Sequence, residues 1–259
     1  MSSQTFCLIA LDFDGVVCDG LIEYFASTKR AYQQIWSAEV DDSFAETFYR
    51  LRPVIETGWE MPILLRALVL GKSEAEIVSN FQAIASEITK QEGLSKQAVV
   101  DCLDGVRDDW IEHNLDGWLD LHRFYPGVID RLRKIVASET KLYIITTKEG
   151  RFVKQLLAKQ GLDVPVEQII GKESKRPKYE TLRILRDKHQ KPNQTLQIVF
   201  VEDRLKALQQ VAQQPDLEFV GLYLADWGYN LESERQIAAQ DERINLLSLE
   251  SFQQNVVNW

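Results

Sequence analysis

Short aliphatic and β-branched runs, spaced by stretches of helical periodicity, leave this chain few folds to adopt. The runs are Phe6–Leu11, Lys141–Ile145, Val166–Ile170, Gln197–Val201, Glu218–Leu224 and Ile244–Leu247. Each suits a strand and is too short for an amphipathic helix. Leu8-Ile9-Ala10-Leu11 shows no polar alternation, so it reads as a strand covered on both faces, as in parallel sheets. Between the later runs lie helical stretches: Val128–Ser138, Phe152–Lys159, Tyr179–His189 and Leu205–Gln213. Alternation of this kind predicts βαβ units, and so an α/β core with helices on both faces of a parallel sheet. Turn residues agree: Pro126-Gly127 opens one helix, Gly161 ends another, and Pro192-Asn193 precedes a strand.

Residues 20–122 break that rhythm. Leu21, Tyr24, Phe25 and Thr28 share a helical face, as do Ile77, Phe81, Ile84 and Ile88, and the spacing continues through Val99, Cys102, Leu103, Val106, Trp110 and Ile111. No run there reads as a strand. The expected organisation is an α/β core from residues 1–19 plus 123–259, with an all-helical domain, 20–122, inserted after the first strand. An insertion rooted at that edge is placed to act as a lid. Trp36, Trp59, Trp110 and Trp118 are expected to form its core, and Asp101, Asp104, Asp108 and Asp109 a solvated face. Pro53 and Gly58 interrupt the helical pattern between Arg50 and Glu60, so this loop is a candidate to dip toward the core, with Arg52 or Glu56 reading a substrate. Gly71-Lys72-Ser73 lacks the upstream glycine and the preceding strand of a phosphate-binding loop.

Of 259 residues, 30 are basic and 39 acidic, a formal charge of −9 that is dispersed along the chain. That balance speaks against nucleic-acid or acidic-membrane binding. Cys7, Cys18 and Cys102 are odd in number and lack metal-ligand spacing, which suggests a reducing compartment without structural disulfides. His113, His122 and His189 are too scattered for a zinc site. The longest apolar stretch, Met61–Leu70, contains Arg66 and is too short to span a membrane. Little room precedes the first strand for a signal peptide, so the expectation is a soluble, cytoplasmic protein.

Charged and hydroxyl residues recur where the hydrophobic runs stop. Asp12-Phe13-Asp14-Gly15 follows Leu11, and residues two apart at a strand end point the same way. Two carboxylates crowded at the ligand-binding edge of an open sheet need a cation between them or a proton. Thr146 and Thr147 follow Ile145 and offer a hydroxyl and a main-chain N–H to phosphate oxygens. The stretch Lys172-Glu173-Ser174-Lys175-Arg176-Pro177-Lys178 offers a cation from one of Lys175, Arg176 and Lys178. Glu202-Asp203 ends another run, and Asp203 could complete an oxygen set for Mg²⁺.

This ordered set resembles the four motifs of the haloacid dehalogenase superfamily of phosphohydrolases. The first is Asp12-Phe13-Asp14-Gly15-Val16-Val17, the second Thr146, the third the lysine near Pro177, the fourth Glu202-Asp203. Position and helicity of the insertion resemble the cap of the subclass containing phosphoglycolate phosphatase and β-phosphoglucomutase. Tyr125-Pro126-Gly127-Val128 and Trp227-Gly228-Tyr229 are also similar to that subclass. The resemblance implies a Rossmann-like core and a Mg²⁺-dependent phosphatase acting on a small phosphorylated metabolite. Asp12 would then be the nucleophile forming an aspartyl-phosphate and Asp14 the general acid and base. Mg²⁺ would sit among the Asp12 carboxylate, the Asp14 main-chain carbonyl and Asp203, while Thr146 and a lysine hold the transferring group.

Two departures stand out. The family's usual Lys-Pro reads Arg176-Pro177 here, and arginine does not replace lysine silently. Lys178, opening the next helix, is the lysine assigned, with Lys175 in reserve. A second acid is missing four residues after Asp203, where Ala207 stands, so Glu202 is a ligand or an outer partner of one. Asp14 argues for phosphate chemistry over halide displacement. A phosphomutase, or a non-catalytic protein on the same scaffold, is the alternative.

Overall fold

A computed structural model of the chain describes residues 4–254. Two compact units are distinguished: the residues up to Asp19 together with those from Arg123 onward, and Gly20–His122. The chain starts with β1 (Gln4–Leu11) and, after a turn, β2 (Cys18–Asp19). Five helices follow: α1 (Leu21–Trp36), α2 (Ala45–Leu51), α3 (Glu60–Val69), α4 (Glu74–Gln91) and α5 (Lys96–Leu119). The first unit resumes with β3 (Arg123–Phe124), α6 (Val128–Val136), β4 (Lys141–Ile145), α7 (Gly150–Lys159) and β5 (Ile169–Ile170). It continues through α8 (Lys178–His189), β6 (Gln194–Glu202), α9 (Leu205–Ala212) and β7 (Gly221–Ala225). α10 (Glu232–Ala239), β8 (Ile244–Leu247) and α11 (Leu249–Phe252) complete it.

This unit is an α/β fold on a six-stranded sheet in the order β5-β4-β1-β6-β7-β8, parallel throughout. β1 is central: Leu11 pairs with Ile144 on one side and Val201 on the other. The chain steps outward from β1 to β4 and β5, then returns to lay β6 on the opposite flank. Strand order therefore reverses at β1, and such a reversal opens a crevice at the carboxyl ends of the strands. Leu8 to Leu11 are fully buried, as their unbroken apolarity predicts. One face packs Leu8, Ala10, Tyr143 and Phe200 against Leu182 and Leu185 of α8 and Leu205, Leu208 and Val211 of α9. Ile9, Leu11, Leu142 and Ile144, of the other parity, are equally buried on the second face, where α6 meets β4 and α7 meets β5. α6 turns Val128, Leu132 and Ile135 inward at helical spacing.

Two predicted strands are shorter than their apolar runs. Within Val166–Ile170 only Ile169 and Ile170 join the sheet, while Val166–Gln168 form a 3₁₀ turn behind Pro165 with Val166 exposed. Within Glu218–Leu224 the strand begins at Gly221, because the Val220 N–H is taken by the Leu217 carbonyl at 3.0 Å. A donor spent inside a turn cannot serve the ladder.

The second unit is helical, with no strand among its described residues. α4 opens with a capping box between Ser73 and Glu76 and buries Ile77, Phe81, Ile84 and Ile88. α5 is broken at Asn114, whose Oδ1 accepts the Gly117 N–H at 2.9 Å and so caps a new turn. Glu23 ties the first helix to the last. It is 1% exposed and accepts from Ser27 Oγ (2.6 Å), Arg107 Nε and Nη2 (2.8 and 3.0 Å) and Trp118 Nε1 (3.2 Å). Trp59 and Trp118 are buried, but Trp36 and Trp110 lie half-exposed at the rim rather than in the core. Arginines cover their faces, Arg66 at 5.3 Å from the Trp36 ring and Arg30 at 3.5 Å from that of Trp110, so burial is not what holds them. No helix of the described residues is long and apolar enough to cross a membrane.

Candidate active site

The register of β1 against β6 sets two strand ends side by side, and the Asp12 N–H extends their ladder by donating to the Val201 carbonyl at 2.9 Å. Asp12 therefore comes beside Glu202 and Asp203. One carboxylate oxygen from each lies within 4.8 Å of the others. The residues are 7%, 1% and 1% exposed, so water screens little of their repulsion. Lys178, the first residue of α8, stands between two of them: Nζ is 3.0 Å from Asp12 Oδ1 and donates to Glu202 Oε2. Glu202 Oε1 accepts the Arg204 N–H at 3.1 Å. Asp12 Oδ1, though close to Lys178, receives no well-directed hydrogen bond.

Burial is the main cause pushing the Asp12 carboxyl up to about 7; the Glu202 charge adds to it and Lys178 opposes it. Burial likewise raises Glu202 against the pull of Lys178. For Lys178, burial works downward, but Asp12 and Glu202 outweigh it and the ammonium is held above its ordinary range.

Asp14 has a cation of its own. After Leu11 the chain is no longer a strand: the Phe13 carbonyl accepts the Val17 and Cys18 N–H groups at 2.9 Å, closing a tight turn. Asp14 stands outside the close trio, yet near enough for its charge to raise the Asp12 carboxyl. The Asp14 carboxylate is held by Lys148 Nζ at 3.2 and 3.4 Å. Lys148 follows β4 by three residues, and its own N–H donates to Thr146 Oγ1 at 3.1 Å. Thr146 is buried and Thr147 exposed.

Glycines allow the close approach. Gly15 has φ 87°, and a Cβ there would stand 2.2 Å from Asp203 Oδ2. At Gly228 a Cβ would meet Asp203 Cβ at 2.3 Å and the Gly15 carbonyl at 2.5 Å. Asp203 thus sits in a cradle that any side chain at either position would fill. The Tyr229 N–H donates to Asp203 Oδ2 at 2.8 Å, and Asn230 Nδ2 to its carbonyl at 3.0 Å.

Four carboxylates, Asp12, Asp14, Glu202 and Asp203, face two ammonium groups, Lys148 and Lys178. The ionised set is two positive charges short. An all-oxygen donor group, a buried Asp12 Oδ1 without a directed hydrogen bond, and this deficit fit a hard divalent cation.

Among the predicted cations, Lys178 is the one beside Asp12. Arg176 Nε donates to Thr181 Oγ1 at 3.1 Å, and Lys175 is exposed in a left-handed turn. Arg52 belongs to the helical unit, where its guanidinium lies 5.1 Å from the Tyr24 ring and Nη1 donates to the Ile55 carbonyl at 3.1 Å. Glu56 is exposed in the same unit. Sequence reasoning passed over Lys148 as a partner of Asp14. It had the signal of a charged residue just beyond a strand end, but the pairing depends on a turn that no periodicity reveals.

The family model of haloacid dehalogenase-like hydrolases matches residues 64–221, more than half of the chain. Among curated proteins no sequence relative matches. Solved structures share the fold along nearly the whole chain. A predicted phosphatase from Clostridium acetobutylicum is 12% identical with a TM-score of 0.60, covering 99% of this chain and 100% of its own. A predicted phosphoglycolate phosphatase from Haemophilus somnus is 17% identical with a TM-score of 0.59, covering 94% and 95%. A protein assigned as a β-phosphoglucomutase from Thermotoga maritima is 15% identical with a TM-score of 0.54, covering 96% and 97%. With a parallel core reversing at its acidic strand and a helical insertion after that strand, the chain belongs to the haloacid dehalogenase-like hydrolase family.

Proposed function

We propose that the protein is a Mg²⁺-dependent phosphatase that hydrolyses a small phosphorylated metabolite through an aspartyl-phosphate. The observation that carries this reading is the trio Asp12, Glu202 and Asp203, buried around Lys178 with a separately held carboxylate, Asp14, nearby. An Asp12 carboxylate oxygen attacks phosphorus, a P–O bond forms, and the bond to the leaving oxygen breaks. Asp14 gives that oxygen its proton, and Lys148 stands where it stabilises the carboxylate left behind. Asp14 then takes a proton from the water that attacks the acyl phosphate, releasing inorganic phosphate and restoring Asp12. Thr146 Oγ1, the Thr147 N–H and Lys178 hold the transferring oxygens. Asp12 and Asp203 would hold Mg²⁺, which screens charge on those oxygens. Glu202, engaged by Lys178 and the Arg204 N–H, orients the lysine from behind.

The test is a panel of phosphorylated metabolites, with p-nitrophenyl phosphate as a generic probe, assayed with Mg²⁺ and with chelator. Mg²⁺-dependent phosphate release that disappears in Asp12→Asn is the expected result. Persistence of hydrolysis in that variant, or its indifference to chelator, would sink the reading. An isomerised sugar phosphate without net phosphate release would favour a mutase, the activity assigned to the Thermotoga maritima protein. Arg52 is proposed to read the substrate. Arg52→Ala should raise KM about tenfold with kcat unchanged, as loss of uniform binding does; an unaltered KM on every substrate retires that role.

A further inference from the structure

The loop Trp227–Asn230 takes no part in the reaction proposed above, yet it touches two features of the core unit at once. One is Asp203. The other is the antiparallel ribbon of β2 and β3, where Cys18 pairs with Phe124 and Asp19 with Arg123. Along the chain, these are the strands immediately before Gly20 and immediately after His122.

Tyr229 meets both features. Its N–H donates to Asp203 Oδ2 at 2.8 Å, and its hydroxyl donates to Asp19 Oδ1, also at 2.8 Å. Tyr125, the residue after β3, has its side chain beside that of Tyr229, and the Tyr125 N–H donates to the Val17 carbonyl at 3.3 Å. One phenol therefore holds the ribbon at Asp19, which pairs with Arg123, while its own main chain holds Asp203. There is little slack in this linkage. Tyr229 is 5% exposed, and its ring lies 3.0 Å from where a Cβ on Gly15 would be. Trp227 Nε1 donates to the Val16 carbonyl at 3.1 Å, and the Arg204 guanidinium donates to the Tyr229 carbonyl.

We propose that Tyr229 is a positioning residue that transmits cation occupancy at Asp12 and Asp203 to the β2–β3 ribbon. The inference rests on the cation site proposed above. A cation drawing on Asp203 fixes the orientation of its carboxylate and, through a charge-assisted hydrogen bond, the Tyr229 main chain. The hydroxyl then holds Asp19, and with it the pairing of β2 with β3. Such coupling is reciprocal, so a held ribbon also favours the cation.

Hydrogen exchange of the whole protein, with and without saturating Mg²⁺, tests this without any substrate. In the wild type, amides of residues 16–19 and 123–125 are expected to exchange about tenfold more slowly with Mg²⁺ bound. Tyr229→Phe keeps the N–H to Asp203, so calorimetry should still detect Mg²⁺ binding, weakened by about fivefold. The slowing at the ribbon should be lost. Asp19→Ala should behave alike, whereas Asp19→Asn, which keeps an acceptor oxygen, should retain the slowing. Equal slowing in Tyr229→Phe and wild type, or a ribbon indifferent to Mg²⁺ that does bind, overturns the proposal. Absence of Mg²⁺ binding by the wild type overturns the cation site with it, and is recognised because no variant then matters.

Discussion

Lys178 lies between two carboxylates that burial alone would drive toward protonation. Removing its charge leaves Asp12 and Glu202 facing each other at 7% and 1% exposure. Lys178→Met should therefore lower stability by about 3–5 kcal/mol at pH 8 and turnover by about 10²–10³-fold. Denaturant titrations at pH 8 and pH 5 check the first figure. Both acids have raised affinities for protons, so the penalty should shrink at the lower pH as they neutralise. A second expectation follows from Asp12, whose carboxyl is pushed up to about 7. Its folded value lies above its unfolded value of about 4. This group's contribution to the stability of the cation-free protein is therefore complete below about pH 4 and lost as pH rises through about 7. Cation binding needs the carboxylate. Mg²⁺ uptake near pH 7 should then release protons and tighten as pH rises. Calorimetry in buffers of different ionisation enthalpy measures the release, and a pH-independent affinity between pH 6 and 8 would contradict it.

Among the elements, α1 and α5 are joined by the buried Glu23 with Arg107 and Trp118. Glu23→Ala strands a half-buried guanidinium and should lower the melting point of the helical unit, the loss being about 3 kcal/mol. A melting point within error of wild type would show that the pair contributes nothing net. The same scale shows what could be read from sequence. β4 and β8 carry the predicted limits, because a strand covered by helices is a compact apolar run with abrupt ends. β5 loses the front of its run to a 3₁₀ turn and β7 to the turn that follows one, so Val166 and Val220 are apolar without joining the ladder. The break at Asn114 is invisible to periodicity, since apolar spacing runs straight across it and only the Asn114–Gly117 bond marks it. Asp12, Lys178, Glu202 and Asp203, which the fold brings together, could be nominated from sequence because they stand in an ordered set at the ends of apolar runs and the start of a helix. Lys148 and Tyr229 could not, because their partners, Asp14 and Asp19, are aimed by the turn between β1 and β2.

For the whole molecule, the sheet order decides where chemistry can occur. The reversal at β1 places Asp12 next to the end of β6, and the sum of four carboxylates and two ammonium groups leaves a deficit matched to a doubly charged ion. The partners of β1 also come late in translation: β4 starts at Lys141 and β6 at Gln194. A nascent chain that has emitted only its helical insertion carries a lone oily strand with nothing to pair against. Once α5 has emerged, the clasp at Glu23 brings the insertion's ends together and shortens the remaining search, because closing a shorter loop loses less entropy. In ribosome-stalled chains that have emerged only as far as Thr140, brief protease treatment should cleave within Leu8–Leu11 and spare the insertion; equal resistance of both would refute this order of assembly. The crowding of Asp12 by Glu202 and Asp203 is thus deferred until the last third of synthesis, when the scaffold that tolerates it is in place.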